Sequence, residues 1–281
     1  MKLLETKNLA LKAGSKYIFQ DINWQIEKGE NWVLFGLNGC GKTTLLSVMA
    51  SYQKACCGEI YLHDYALDEE NYGLFREKIG LVSSSFFNRF FRHEIIQDII
   101  MAGKYGSLGF QDEMEDADVR RAKALLDVFG LKSKARYPYD TISKGQQQMV
   151  LIARALMGNP EILLLDEPCS GLDIIVKERF LHLIQDLVAE SGTTLLYVTH
   201  HTEEISPLFS KAALMKQGKI YAQGALAEVF SEQVLSDFLE TPAKVIWSEK
   251  HFFIDLDLPW QQNARVFSQK GGAESESGQN I

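Results

Sequence analysis

Residues 36–44 read Gly36-Leu37-Asn38-Gly39-Cys40-Gly41-Lys42-Thr43-Thr44, and the first eight fit the pattern G-x-x-x-x-G-K-[ST]. Glycines at these spacings let the backbone curl until successive N–H groups point inward at phosphate oxygens. A helix starting near Lys42 aims its positive dipole end at the same anion. Lys42 is a point charge for the outer phosphates, and Thr43 offers a hydroxyl to Mg²⁺. A second run, ILLLDE at 162–167, supplies a matching acidic strand end. Asp166 is placed to hold Mg²⁺ through a water, and Glu167 to orient or deprotonate an attacking water. Each feature has a bland reading by itself, a chance glycine-rich turn or an acidic residue kept for solubility. Together they point to nucleotide hydrolysis.

These residues need elements to hold them. NWVLFG is a short apolar run that meets a glycine, which predicts a buried strand of a parallel sheet. TTLLSVMASY follows at helical spacing, so the loop sits between strand and helix as the motif requires. Residues 2–30 alternate apolar and polar, predicting half-solvated antiparallel strands, and GEIYLHDY predicts another. EIIQDIIMAG and VRRAKALLDVFG carry helical periodicity, which predicts a helical insert over about 85–140. Beyond it, QQQMVLIARALMG predicts a helix stopped at Asn159-Pro160. EILLLDE predicts a buried strand, IIVKERFLHLIQDLVAE a long helix and TTLLYVTHH a further strand. KAALMKQGKIYAQG predicts a hairpin turning at Gln217-Gly218. The expected fold class is α/β, a P-loop nucleoside triphosphatase (NTPase) with a mostly parallel core sheet, an antiparallel β lobe and a helical subdomain insert. The main domain is expected over 1–240. A C-terminal extension is expected over 241–281, with HFFIDLDLPW as a further strand and QKGGAESESGQNI as a disordered tail.

Residues 142–146, ISKGQ, carry a logic of their own. Ser143 and Gln146 form an S-x-x-Q capping box, which predicts a helix start. With Gly145 beside it, such a start exposes N–H groups to an anion. The segment also resembles the signature of the ABC ATPase family, usually LSGGQ. It precedes ILLLDE, then Ser170-Gly171-Leu172-Asp173, then Thr199-His200, an order that matches this family across roughly residues 1–230. The NWxLFGLNG loop and THH motif further resemble a subgroup of single-domain bacterial ABC ATPases.

The resemblance implies that the anion at Ser143, Gly145 and Gln146 is the γ-phosphate of ATP held by a second subunit, either another copy or a paralogous ATPase. It implies that His200 contacts that phosphate and links it to Glu167, with His201 the weaker candidate, and that Asp173 couples two sites across the interface. It implies a transmembrane permease on a separate chain as the driven partner, and a cytoplasmic, peripheral location at the inner face of the membrane. Three departures stand out. Lys144 replaces the usual first glycine of the signature. The family's magnesium-contacting glutamine falls near Ser84 in KIGLVSSSFF, so a hydroxyl there reaches the metal shell only through water. Ala13 stands where an adenine-stacking aromatic is expected, which leaves Tyr17 as a substitute or as a core strand residue. The run FFNRFFRHE, residues 86–94, is either a partner-facing aromatic surface or the filling of the helical insert.

Composition bounds the alternatives. The chain has 281 residues, 46% of them hydrophobic, and a formal net charge of −8. That balance argues against non-specific nucleic-acid binding, which needs a basic footprint. Cys40, Cys56, Cys57 and Cys169 lack the paired spacing of a zinc site, and adjacent Cys56 and Cys57 do not suggest a disulfide framework. No run approaches the roughly 18 apolar residues of a membrane helix. A soluble ATPase acting on nucleic acid or ribosomes, and a regulatory module with little turnover, remain as other readings.

Overall fold

The computed structural model describes residues 1–109, 114–248 and 252–256. The alternating N-terminal segment forms β1 (Lys2–Ala13) and β2 (Lys16–Glu27), paired antiparallel. The apolar run after it is β3 (Trp32–Phe35), buried throughout, and the phosphate loop leads from it into α1 (Lys42–Met49). Strands β4 (Cys57–Leu62) and β5 (Tyr65–Ala66) return beside β1, giving an antiparallel sheet of order β2-β1-β4-β5. Helix α2 (Tyr72–Lys78) then leads into β6 (Ile79–Ser83).

The helical region contains α3 (Ser84–Phe91), α4 (Ile96–Ala102) and α5 (Asp116–Val128). The α/β pattern resumes with α6 (Lys144–Met157), β7 (Ile162–Asp166), α7 (Ile174–Ser191) and β8 (Thr194–Thr199). The hairpin β9 (Lys211–Lys216) and β10 (Lys219–Ala225) turns at Gln217 and Gly218, both at positive φ, as the dipeptide predicted. Helices α8 (Leu226–Val229) and α9 (Glu232–Leu239) precede a last hairpin, β11 (Ala243–Trp247) with β12 (Phe252–Leu256). The alternation in HFFIDLDLPW therefore does form a strand over the residues described, and its Phe252 is fully buried against Phe230 at 4.9 Å. The tail QKGGAESESGQNI lies outside the described residues.

The core sheet has the order β10-β9-β3-β8-β7-β6. Its five strands from β9 to β6 run parallel, and β10 pairs antiparallel at the edge. Strands β6, β7 and β8 are buried at every residue, the mark of a sheet covered on both faces. Register then decides where the chemistry gathers. Phe35 stands opposite Thr199, Val198 opposite Asp166, and Asp166 opposite Ser83. The carboxyl ends of four strands thus share one edge, where open α/β sheets bind ligands. The antiparallel lobe is tied to this sheet where Gln20 N donates to the Gly218 carbonyl at 2.9 Å. A β-carbon on Gly218 would sit 2.4 Å from the Ile18 carbonyl oxygen, so this turn admits only glycine.

The aromatic run resolves mostly in favour of packing. Phe86, Phe87 and Phe91 are buried, and only Phe90, at 38% exposure, reaches solvent. The Phe87 and Phe91 rings stack at 5.3 Å, and the buried Arg154 guanidinium lies 4.4 Å from the Phe87 centroid. Arg89 covers the Phe86 and Phe90 rings at 4.8 and 4.7 Å. An amphipathic helix of eight residues with two aromatic pairs at i,i+4 satisfies itself by turning one side inward.

Candidate functional site

The phosphate loop is shaped by what it must clear. A β-carbon on Gly36 would meet the Met215 carbonyl oxygen at 2.5 Å. Gly39 and Gly41 take φ of +78° and +106°, and Gly41 is the N-cap of α1. This left-handed backbone is open to glycine and strained for other residues. Lys42 is 5% exposed, and its Nζ donates to the Gly36 and Leu37 carbonyls at 2.6 and 3.3 Å. The ammonium is therefore held over the loop that curls around it. Cys40 is buried beside Gly36, and burial pushes its thiol above the usual range, so it acts as a protonated filler.

Asp166 ends β7 and is 4% exposed. Three hydroxyls donate to its carboxylate: Thr43 to Oδ1 at 3.1 Å, and Ser83 and Ser85 to Oδ2 at 2.6 and 3.2 Å. Burial pushes this carboxyl above the usual aspartate range, against the pull of those hydrogen bonds. A carboxylate surrounded by hydroxyl oxygens is a hard donor set that suits Mg²⁺ rather than a soft metal.

Glu167 follows at φ +46°, a left-handed conformation held by its N–H donating to the Val198 carbonyl at 2.9 Å. For a non-glycine residue such backbone costs about 1–3 kcal/mol and gathers at functional sites. The turn swings the Glu167 side chain out of the sheet. Its Oε1 lies 2.9 Å from His200 Nδ1 and 3.6 Å from Lys42 Nζ. The His201 ring packs on His200 at 4.1 Å, and its Nδ1 faces Glu203 at 3.6 Å rather than Glu167.

A cavity of about 610 Å³ opens at this edge, lined in part by Asn38, Gly39, Gly41, Lys42, Thr43, Thr44, Asp166 and Glu167. Among the predicted residues, the fold brings the loop, Asp166, Glu167 and His200 together. It does not bring Ser143, Gly145 or Gln146 to this lining. Ser143 caps α6 by accepting from Gln146 N at 3.3 Å, and Gln146 Oε1 accepts from Ser143 N at 3.2 Å, the box that the spacing predicted. Lys144 is exposed at the cavity rim. Asp173 caps α7, accepting from the N–H groups of Ile175 and Val176 at 3.0 Å.

Two predicted positions have neighbours that reach the site, and Ser84 itself lines the cavity. Ser84 donates to Gln148 Oε1 at 2.7 Å, while its neighbours Ser83 and Ser85 carry the bonds to Asp166. The hydroxyl run Ser83-Ser84-Ser85 was visible, but which member faced the carboxylate depended on where β6 gave way to α3. Tyr17 is 42% exposed under the Lys12 ammonium at 4.4 Å, and Ile18, pointing the other way from β2, lines the cavity. Gln148 had no sequence signal beyond its place in a polar stretch of helix.

The chain matches the ABC transporter family over residues 19–170. It is 40% identical to the ABC transporter ATP-binding protein YlmA of Bacillus subtilis, over 92% of this chain and 98% of that one. It is 37% identical to a putative ABC transporter ATP-binding protein of Streptococcus mutans, over 90% and 98%. Its fold resembles the dimeric structure of an ATP-binding cassette in a post-hydrolysis state bound to ADP and Pi, with TM-score 0.66 and 27% identity over 80% of this chain and 99% of that one. With its phosphate loop, acidic strand end and histidine gathered at one sheet edge, the chain belongs to the family of ABC transporter ATP-binding proteins.

Proposed function

We infer that this chain is the ATP-hydrolysing subunit that powers a membrane transporter, and that Gly36–Thr44, Asp166, Glu167 and His200 carry its chemistry. One observation supports the assignment most: Lys42 and His200 converge on one carboxylate oxygen of Glu167 beside a glycine-lined cavity. Lys42 and the loop N–H groups bind the phosphates. Glu167, turned out by its left-handed backbone, orients the attacking water and accepts its proton. His200 fixes the carboxylate and faces the terminal phosphate. Thr43 and Asp166 would hold Mg²⁺, which would offset negative charge on the nucleotide's phosphates.

The site becomes complete in a pair. Ser143, Gly145 and Gln146 lie off the cavity of their own chain, at a capped helix start free to meet an anion from another. Ile174 and Ile175 follow the rim residues Ser170 and Gly171 and stand 77% and 61% exposed. Two exposed isoleucines beside an active site suit burial against a second copy or a paralogous ATPase. ATP then closes two chains around two shared sites, and hydrolysis reopens them.

No described helix is long and apolar enough to cross a membrane. The partner that this reading requires is a separate membrane-spanning permease, with the chain peripheral to the cytoplasmic face. The main domain runs over 1–240, with the remainder an extension. Affinity purification from detergent-solubilised membranes tests the class. Stoichiometric recovery of an integral membrane protein supports it. Recovery with ribosomes, or ATPase stimulation by RNA or DNA, rejects it in favour of a soluble ABC ATPase.

A further inference from the structure

Among the described polar side chains that line the cavity and are not used by the chemistry above, one holds a buried donor without a partner. Gln148 lies on α6, four residues beyond Lys144 and on the same helical side, and both border the cavity with Thr43, Asp166 and Glu167. Its side chain is 4% exposed. Ser84 donates to its Oε1 at 2.7 Å, while its Nε2 is buried with no hydrogen-bond partner among the described residues. The adjacent Gln147 shows the ordinary outcome. It is equally buried, at 7%, and its Nε2 donates to the Tyr139 carbonyl at 3.0 Å. Buried donors without acceptors are rare in folded proteins because each forfeits its hydration.

The surroundings say what the missing acceptor is. The protein carboxylates at the cavity already have donors. Asp166 takes three hydroxyls, and Glu167 takes His200 and Lys42. The Ser84 hydroxyl holds the amide oxygen toward α3 and so turns Nε2 to the other side. A donor fixed in this way, in a cavity whose loop binds phosphate, suits an anionic oxygen brought in by the nucleotide.

We propose that Gln148, positioned by Ser84, donates its amide N–H to the terminal phosphate of ATP and so distinguishes ATP from ADP at this site. The pairing also gives a reason for serine at 84. The amide comes from α6, and the serine holds it. The proposal rests on the cavity being the ATP site.

The test is equilibrium titration of the full chain, followed by displacement of a fluorescent nucleotide. Displacement with ADP and with β,γ-imido-ATP is measured for the unaltered protein, for Gln148→Met and for Ser84→Ala. Gln148→Met keeps the volume and flexibility of the side chain and removes its donor. It is expected to weaken imido-ATP about tenfold, the usual loss for a hydrogen bond to a charged group, with ADP unchanged within about twofold. Ser84→Ala removes one hydroxyl and lets the amide rotate. It is expected to weaken imido-ATP selectively, by roughly threefold. If ADP and imido-ATP lose affinity equally in both variants, or neither loses any, Gln148 serves only to pack α6 against α3 and the proposal fails. If the unaltered chain binds neither nucleotide, the reading of the cavity as the ATP site fails instead.

Discussion

The Nδ1 of His200 lies 2.9 Å from the Oε1 of Glu167, and the Lys42 ammonium lies 3.6 Å from that same oxygen. Each of the three comes from a different strand end: β8 carries the histidine, β7 the glutamate, and β3 leads into the lysine loop. Their meeting is a consequence of parallel register, which sets Phe35 opposite Thr199 and Val198 opposite Asp166. If His200 orients Glu167 and meets the terminal phosphate, His200→Ala should slow turnover by about 10²–10³-fold. Nucleotide affinity should change by no more than about threefold. Phosphate release paired with equilibrium titration separates the two quantities. Equal loss in both would assign His200 to binding instead.

Lys42 differs from the chain's surface lysines because its side chain is buried and bonded to the loop it serves. Lys42→Ala should weaken binding of a fluorescent ATP analogue by at least about tenfold, since a desolvated charge on a phosphate is lost. Undiminished affinity would remove the loop from the phosphate site.

Gly36 and Gly39 are required for different reasons. Gly36→Ala forces a β-carbon to 2.5 Å from the Met215 carbonyl oxygen, so denaturant unfolding should show a loss of about 1–3 kcal/mol. Gly39→Ala meets nothing within 4 Å but must hold φ near +78°, so it should cost roughly 1 kcal/mol. A smaller loss at Gly36 than at Gly39 would mean that the loop moves away from β9 at little cost.

Asp166 carries a stability cost that the proposed magnesium role would explain. Its carboxyl is raised in the fold by burial, so the folded chain binds that proton more tightly than the unfolded chain does. The cost is therefore absent below the ordinary aspartate value, grows as pH rises from it toward the raised one, and is full above that. Asp166→Asn should raise the stability of the nucleotide-free protein at pH 7 by about 1 kcal/mol, with the gain vanishing in acid, and should abolish magnesium-dependent turnover. Calorimetry at both pH values, with and without Mg·ATP, tests this. A variant less stable at pH 7 would mean that the three hydroxyls outweigh the burial.

Much of this site was legible because its motifs are local. The loop is a run of glycines, Asp166 and Glu167 end an apolar strand, and the Ser143–Gln146 box is a four-residue pattern. The strands and the Gln217-Gly218 hairpin were legible for the same reason, as periodicity and turn chemistry act over a few residues. What the sequence left open depends on contacts across the chain. Ser83, Ser84 and Ser85 are chemically identical, and only the pairing of β6 with β7 and the start of α3 right after Ser83 decide that the outer two face Asp166. Gln148 is one of three consecutive glutamines, and only its partner on α3 separates it from Gln147. The phenylalanines of α3 needed the far side of α6, where Arg154 waits, before core could be told from surface.

The central claim is that ATP is hydrolysed by Glu167 in a site completed by a second chain. It is tested most directly with Glu167→Gln, by light scattering on a sizing column with and without Mg·ATP, alongside phosphate release. The account predicts nucleotide binding at near-normal affinity, turnover reduced by about 10²-fold or more, and a dimer that accumulates only on ATP. A variant that stays monomeric on ATP and keeps full turnover would contradict it.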